Sequence, residues 1–366
     1  MKKIKVDIPF LVTTTILIIV GYAIFTSASF GLLSKQVVKY SGVTFNQTFF
    51  GLFCGLIFCV IASRTDYKIY RKYSLIVFIV SILVTLLVFV PRVGFSHGGA
   101  SRWISLGFLS FQPSEFLKIG FIIFFSAWLA RVKNKASTFK YGFLPFIIIL
   151  GVVGTILLNQ PDTDTFIIIV FSGLAIFLAG GGGWRYIIIT IAIGAIGLVG
   201  VVYTKPYVMS RIDTFINPSE NALGSGYQIQ QSLIAVGSGG MFGRGFGQSI
   251  QKFNVLPEPI GDSIFAVASE EFGFVGAVGI ILLFIFFSFR GLKIAGKVSD
   301  TFGRLVVVGI VILIVSQAFV NIGAMVGVLP LSGITLPFVS HGGTALFVTL
   351  VEVGMILNIS KSMKKS

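Results

Sequence analysis

Charge is scarce in this sequence. Asp, Glu, Lys and Arg together make up 11% of its 366 residues, where a soluble domain carries about a quarter. Hydrophobic residues make up 55%, and the mean hydropathy is +0.96. This excludes a soluble globular domain and leaves a polytopic membrane protein. Acids are scarcer still, 13 against 28 Lys and Arg. Cysteine is almost absent. Cys54 and Cys59 share one apolar run, which suits neither a disulfide framework nor a metal knuckle and reads as packing in a membrane helix. His97 and His341 are isolated, without the spacing of a catalytic triad or a zinc site. There is no GKS or GKT, so no Walker loop. No basic patch is interleaved with stacking aromatics, so no nucleic-acid partner is expected.

What is present is long apolar runs. They cover about 8–28, 44–62, 74–91, 114–130, 143–159, 164–180, 185–203, 263–289, 305–328 and 341–359. Several reach the ~20 residues that a helix needs to cross a hydrocarbon core. The runs do not alternate as barrel strands do, and backbone in lipid must satisfy its own hydrogen bonds. The expected fold class is therefore all-α, a polytopic integral membrane protein of about ten transmembrane helices. Residues 1–366 form a single membrane domain, with a large outer loop before the eighth helix at 204–262. No small-residue cleavage site follows 8–28, which reads as a retained first span.

Lys and Arg set the orientation. With the N-terminus inside, the cytoplasmic segments hold nineteen of them, including Lys2, Arg64, Arg131, Arg185, Arg290 and Lys365, against nine outside. The positive-inside rule then places both termini in the cytoplasm. The excess positive charge is a topology signal, with attraction to anionic lipid.

The cytoplasmic loops are short, so chemistry belongs to the outer segments or to a cavity between helices. The acids point outward too. Asp213, Glu220, Glu258 and Asp262 lie in the long outer interval, Asp162 and Asp164 in a tight turn, QPDTDT, and Glu115, Glu270 and Glu271 near outer helix ends. Glu352 is in the last span. Polar machinery is thus expected at the outer face rather than at the midplane. Residues 329–341, LPLSGITLPFVSH, are apolar but broken by Pro330, Gly333 and Pro337. That suits a loop dipping into the membrane against protein.

Several motifs carry two readings. In QPSEFLK, Glu115 and Lys118 share a helical face and pair, either as a structural pair or as the wall of a cavity with Lys118 open to a phosphate. In SRWISLG, Trp103 is a membrane-interface anchor or Arg102 forks onto a phosphate. The glycine-dense stretch around Arg244 is a flexible loop or an anion cradle. Asp262, in LPEPIGDSIFA, precedes an apolar helix, so it is an N-cap or a general base. At an apolar boundary its charged form is desolvated, and Glu258 adds like charge.

Taken together, SRWISLGFLSFQPSEFLKI, LNQPDTDT, the block from Gly226 to Phe274 and FVNIGAMVGVLPLSGITLPFVSHGGTAL resemble the shape, elongation, division and sporulation family, which includes FtsW, RodA and SpoVE. The resemblance runs from about 10 to 360. QSIQKF before LPE, with GITLPF, looks more like the FtsW branch than the RodA branch. Departures exist: Pro259, Ile260, Gly261 and Ser263 beside the aspartate, Asp164 where the pattern has glycine, and His341 where it has tyrosine.

The resemblance implies a peptidoglycan glycosyltransferase of the bacterial cytoplasmic membrane. It polymerises lipid II into glycan strands for septal wall synthesis, with a class B penicillin-binding protein (a transpeptidase) and other division proteins as partners. It puts the essential aspartate on Asp262 and the family's polar Glu and Lys on Glu115 and Lys118. Arg102, Lys118, Arg211 and Arg244, loop amides or a divalent cation (Mg or Mn) would stabilise the pyrophosphate leaving group, and Glu258 would flank the substrate. No dedicated metal cage and no organic cofactor are expected. Two other readings stay open: a lipid II flippase, and a non-catalytic scaffold that activates a transpeptidase.

Overall fold

The computed structural model describes residues 6–33, 37–91, 93–97, 100–106, 109–218, 224, 226–253 and 255–363. Lys2, Lys3, Lys5, Lys35, Arg92, Glu220, Lys364 and Lys365 lie outside the described residues. The chain runs α1 (Ile8–Leu33), α2 (Val37–Phe45), a π-helical stretch (Asn46–Cys54), α3 (Gly55–Arg64), α4 (Lys68–Lys72) and α5 (Ser74–Leu86). Strands β1 (Gly94–His97), β2 (Ala100–Leu106) and β3 (Leu109–Phe111) follow. Then come α6 (Pro113–Val132), α7 (Leu144–Asn159), α8 (Thr163–Ala179), α9 (Trp184–Thr204), α10 (Pro206–Ile216) and α11 (Tyr227–Ser238). The chain closes with α12 (Ile264–Lys297), α13 (Thr301–Met325) and α14 (Gly343–Ser360).

The apolar runs are helical because an unbroken apolar stretch satisfies its backbone only as a helix when no water is at hand. Among the described residues, seven helices are long and apolar enough to cross a membrane. Ser74–Phe89 and Thr163–Ala179 are shorter apolar helices. The remaining run is α6, which carries Glu115, Lys118 and Arg131. Local chemistry sets the ends. Pro113 and Pro206 occupy first turns, where a missing N–H costs nothing. The Asp300 carboxylate accepts from Gly303 N at 2.9 Å and caps α13.

α13 packs against α6, α8 and α12, and α14 against α3 and the π-helical stretch, so these two helices form the centre. α9 is peripheral, with Ile196 and Tyr203 exposed. At the end of the bundle opposite the site described below, Arg290 donates bidentately to Asp7 (2.8 and 2.8 Å) and ties α12 to the start of α1.

The structure adds detail to three sequence expectations. The fold is the mostly helical one expected, and β1, β2 and β3 add a small three-stranded antiparallel sheet in that order, with Gly94 opposite Ile104 and Ile104 opposite Phe111. The long interval 204–262 holds two short helices, α10 and α11, among its described residues. The glycine-dense stretch is not a free loop. α12 breaks at Gly273 (φ 66°, ψ −166°), and the segment 240–245 fits the break. Arg244 N and Gly245 N donate to the carbonyls of Glu270 and Glu271, each at 3.0 Å. Phe274 N and Val275 N donate to Gly240 and Met241 at 2.8 and 3.1 Å. The backbone groups freed by the kink are thereby satisfied.

Segment 329–342 is non-helical, and Ile334, Leu336, Phe338, Val339 and Ser340 within it are buried. It lies against the middle of α1: a side chain at Gly21 would strike the Phe338 carbonyl, so only glycine admits the loop there. Gly21 is twelve residues from the end of α1, a depth of about 18 Å at the helical rise.

Candidate active site

Asp262 sits on a turn built from both sides. Glu258 adopts a left-handed backbone (φ 45°), and its carbonyl accepts from Gly261 N (3.0 Å) and Ser263 N (3.2 Å). The later carbonyls are held by α13 and the segment after it. Asn321 Nδ2 donates to the Asp262 carbonyl and to the Ile334 carbonyl, each at 2.8 Å. Ser340 Oγ donates to the Gly261 carbonyl (2.8 Å), and His341 N to the Ile260 carbonyl (2.7 Å). Gln228 Nε2 on α11 donates to Ser263 Oγ (3.1 Å). Gln47 in turn steadies the loop, donating to the Ser340 carbonyl (3.1 Å) and accepting from Gly342 N (2.9 Å).

This fixed backbone leaves the carboxylate uncommitted. The N-cap of α12 is Ser263, and no side chain caps it. Among the described residues no side chain hydrogen-bonds the Asp262 carboxylate. The N-cap reading is therefore overturned. Leu256, Ile260 and Ile264 on either side of it in sequence are buried, and burial desolvates its charged form.

The charges around it come from four segments: Glu258 on its own turn, Asp164 on α8, Arg211 on α10 and Arg102 on β2. Burial is the main cause that pushes the Asp262 carboxyl up to about 7, with Glu258 and Asp164 adding like charge and Arg211 and Arg102 opposing. The two arginines are themselves anchored. Arg211 Nη1 donates to Asp164 Oδ2 at 2.7 Å, and Gly333 N donates to the same oxygen at 3.0 Å. Burial alone would lower the Arg211 pKa, but Asp164, with Tyr207 and Asp262, more than offsets it and the net direction is up. Arg102 donates to the Pro161 carbonyl and lies 3.5 Å from Asp162. Arg102 Nη1 and Arg211 Nη2 both approach Gly333, where a side chain would lie 3.6 and 3.8 Å from them. Two guanidinium groups thus converge over a bare glycine. Arg102 Nε, Asp162 Oδ2 and Ser332 Oγ are buried here without a hydrogen-bond partner among the described residues, unlike most buried polar atoms.

The other candidates fall elsewhere. Glu115 and Lys118 pair at 2.8 Å, both buried, and face Glu352 of α14, whose Oε1 is buried without a partner among the described residues. Lys118 thus stands with Glu115 and Glu352 rather than with the group around Asp262. Glu352 is the tenth residue of α14, about 13 Å along the helix. The expectation that charge stays at the outer face is therefore corrected: three ionisable groups meet inside the bundle. Arg244 is corrected as well. Its Nε lies 3.3 Å from Glu270, so it belongs to the kink assembly rather than to the group around Asp262. In that assembly Glu270 also accepts from Ser249 Oγ (2.6 Å) and Ile250 N (3.1 Å). Glu271 and Lys252, both fully buried, pair at 2.7 Å and share Ser27 of α1.

Sequence reading missed Asn321, Asp162 and Asp164 as site residues. Only the position of Asp162 and Asp164 at a helix-end turn marked them. Among the described residues no group of three His, Cys, Asp or Glu side chains is arranged to hold a metal ion.

Comparison with known proteins gives one consistent picture. A family model described as "Cell cycle protein", FTSW_RODA_SPOVE, matches residues 8–365. Stage V sporulation protein E of Bacillus subtilis (strain 168) is 38% identical over 367 residues, covering 98% of both chains. A probable peptidoglycan glycosyltransferase FtsW of Geobacter sp. (strain M18) is 37% identical over 363 residues, covering 98% of this chain and 97% of that one. Among solved structures, the rod shape determining protein RodA of Thermus thermophilus aligns with a TM-score of 0.71 at 22% identity, covering 99% of this chain and 98% of that one. A chain of a peptidoglycan synthase complex aligns with a TM-score of 0.80 at 24% identity over 99% of both chains. At these identities the structural likeness shows the fold.

Proposed function

The chain belongs to the FtsW/RodA/SpoVE family of cell cycle proteins, and from that premise we propose that it is a peptidoglycan glycosyltransferase with Asp262 as its general base. One observation carries the reading. A carboxylate on a rigid turn, free of side-chain hydrogen bonds among the described residues, stands beside two arginines that converge on Gly333.

The reaction is glycosyl transfer with inversion. Asp262 takes the proton from the 4-hydroxyl of the acceptor GlcNAc as that oxygen bonds to the anomeric carbon of the lipid-linked donor. The bond from that carbon to the pyrophosphate breaks, and the electron pair leaves with the phosphate oxygen. The leaving group needs charge stabilisation rather than a proton. Arg102 and Arg211 supply it from fixed positions, so little reorganisation accompanies the step. A carboxyl raised to about 7 is half ionised near neutrality and suited to general base work. Mg or Mn arriving with substrate phosphates belongs to the proposal as a companion ion, and no step depends on it.

The orientation follows from the basic residues: both termini cytoplasmic, Asp262 at the outer face, residues 1–366 one membrane domain. The proposed role is septal wall synthesis, with a transpeptidase of the class B penicillin-binding type and other division proteins as partners. Purified protein with its transpeptidase and labelled lipid II should yield a ladder of glycan strands, and no ladder from folded complex would overturn the reading.

A second reading, translocation of the lipid-linked precursor, draws on the Glu115, Lys118 and Glu352 group inside the bundle. Under it, Glu352→Gln would abolish transbilayer movement of labelled lipid in vesicles, and Asp262→Asn would leave it intact.

A further inference from the structure

Asp164 lies in the first turn of α8, where an acidic side chain ordinarily serves its own helix. Its bonds go elsewhere. The same Oδ2 accepts from Arg211, 47 residues away on α10, and from Gly333 N, 169 residues away. One carboxylate thus joins three segments of the chain. It also occupies Nη1 of the Arg211 guanidinium. The other terminal nitrogen is directed over Gly333 beside Arg102.

Asp262 also acts on Arg211, after Asp164 and Tyr207. Arg211 sits on a short helix and is partly exposed, so its long side chain has room to turn. Released from Asp164, its guanidinium would pair with Asp262, and a carboxylate in a salt bridge is a poor base. Resting on the base reading above, we infer that Asp164 is a positioning residue, holding Arg211 on the leaving-group side of the site and away from Asp262. The charged groups that face Asp262 are Glu258 from its own turn, Asp164 from α8, Arg211 from α10 and Arg102 from β2. Asp162 pairs with Arg102, and the Tyr207 hydroxyl faces Arg211. Removing Asp164 takes away a like charge and frees a cation, and both changes favour ionised Asp262.

The test is the pH–rate profile of lipid II polymerisation by the full complex. Asp164→Asn should move the acid-limb midpoint down by about one pH unit, with kcat reduced about tenfold and KM little changed. The double variant Asp164→Asn/Arg211→Gln, lacking the freed guanidinium, should bring the midpoint back toward wild type. Asp164→Glu, which keeps the carboxylate, should stay close to wild type. If Asp164→Asn does not fold, Asp164→Ser reads the same midpoint. A lowered melting temperature with an unmoved midpoint in every variant would overturn the inference and leave Asp164 a structural tie. Asp262→Asn runs alongside. If it still polymerises, the base reading itself fails. If it is inactive while the Asp164 midpoint stays put, only this inference fails.

Discussion

Arg211 donates to Asp164 at 2.7 Å, while Asp262, within electrostatic reach of both, has no side-chain hydrogen bond among the described residues. A carboxylate at the edge of an apolar helix usually caps it or pairs with the nearest cation. Here the backbone of residues 258–263 is fixed by Asn321, Ser340 and His341, Ser263 takes the cap position, and Asp164 engages the cation. What remains is a group free to accept a proton.

The pH dependence follows. A base whose carboxyl is raised to about 7 is protonated and idle in acid, so the polymerisation rate should rise with pH through about 7. A midpoint near the ordinary carboxylate value of about 4 would contradict this. Stability runs the other way. The folded state holds the Asp262 proton more tightly than the unfolded chain does. Its contribution is fully present below about 4 and is lost as pH rises through about 7. Thermal melting of wild type against Asp262→Asn across that window checks the sign.

Asn321 is fully buried and binds the carbonyls of Asp262 and Ile334 through one amide nitrogen. Asn321→Ala should cost about 1–3 kcal/mol in stability, the range for leaving a buried polar group unpaired. It should also lower kcat more than it raises KM, because it loosens the base and not the substrate site. Melting and steady-state kinetics on one preparation separate the two effects.

The kink assembly gives an electrostatic prediction away from the site. Lys252 and Glu271 are both fully buried and pair at 2.7 Å. Glu271→Gln leaves an uncompensated buried ammonium and should destabilise by roughly 3–5 kcal/mol. Lys252→Met with Glu271→Gln should cost much less than the two single changes summed. A double-mutant cycle showing no coupling would contradict this account of how the segment 240–252 is held.

Much of the fold is legible in the sequence because lipid leaves the backbone few options, and each apolar run is mostly helical. Asp262 is visible because an acid at the edge of an apolar run is conspicuous in a chain so poor in acids. Arg102 and Arg211 are found as residue types, and the structure adds their convergence on Gly333. What sequence could not supply is which faces meet. Lys118 turns toward Glu352 on a helix 234 residues further on, and no local pattern encodes that. Arg244 has the right chemistry for a phosphate, but Glu270 at the kink takes it. The kink rests on one glycine at φ 66° in an otherwise regular apolar run. The sheet at 94–111 went unseen because its strands are short and lie in a segment whose composition reads as loop.

The most direct measurement is polymerisation of labelled lipid II by the purified complex carrying Asp262→Asn, with Glu352→Gln and wild type beside it and the folding of each verified. The account predicts a glycan ladder from wild type and from Glu352→Gln, and none from Asp262→Asn at any pH between 6 and 9. A full ladder from Asp262→Asn would remove the base from the mechanism and contradict the central claim.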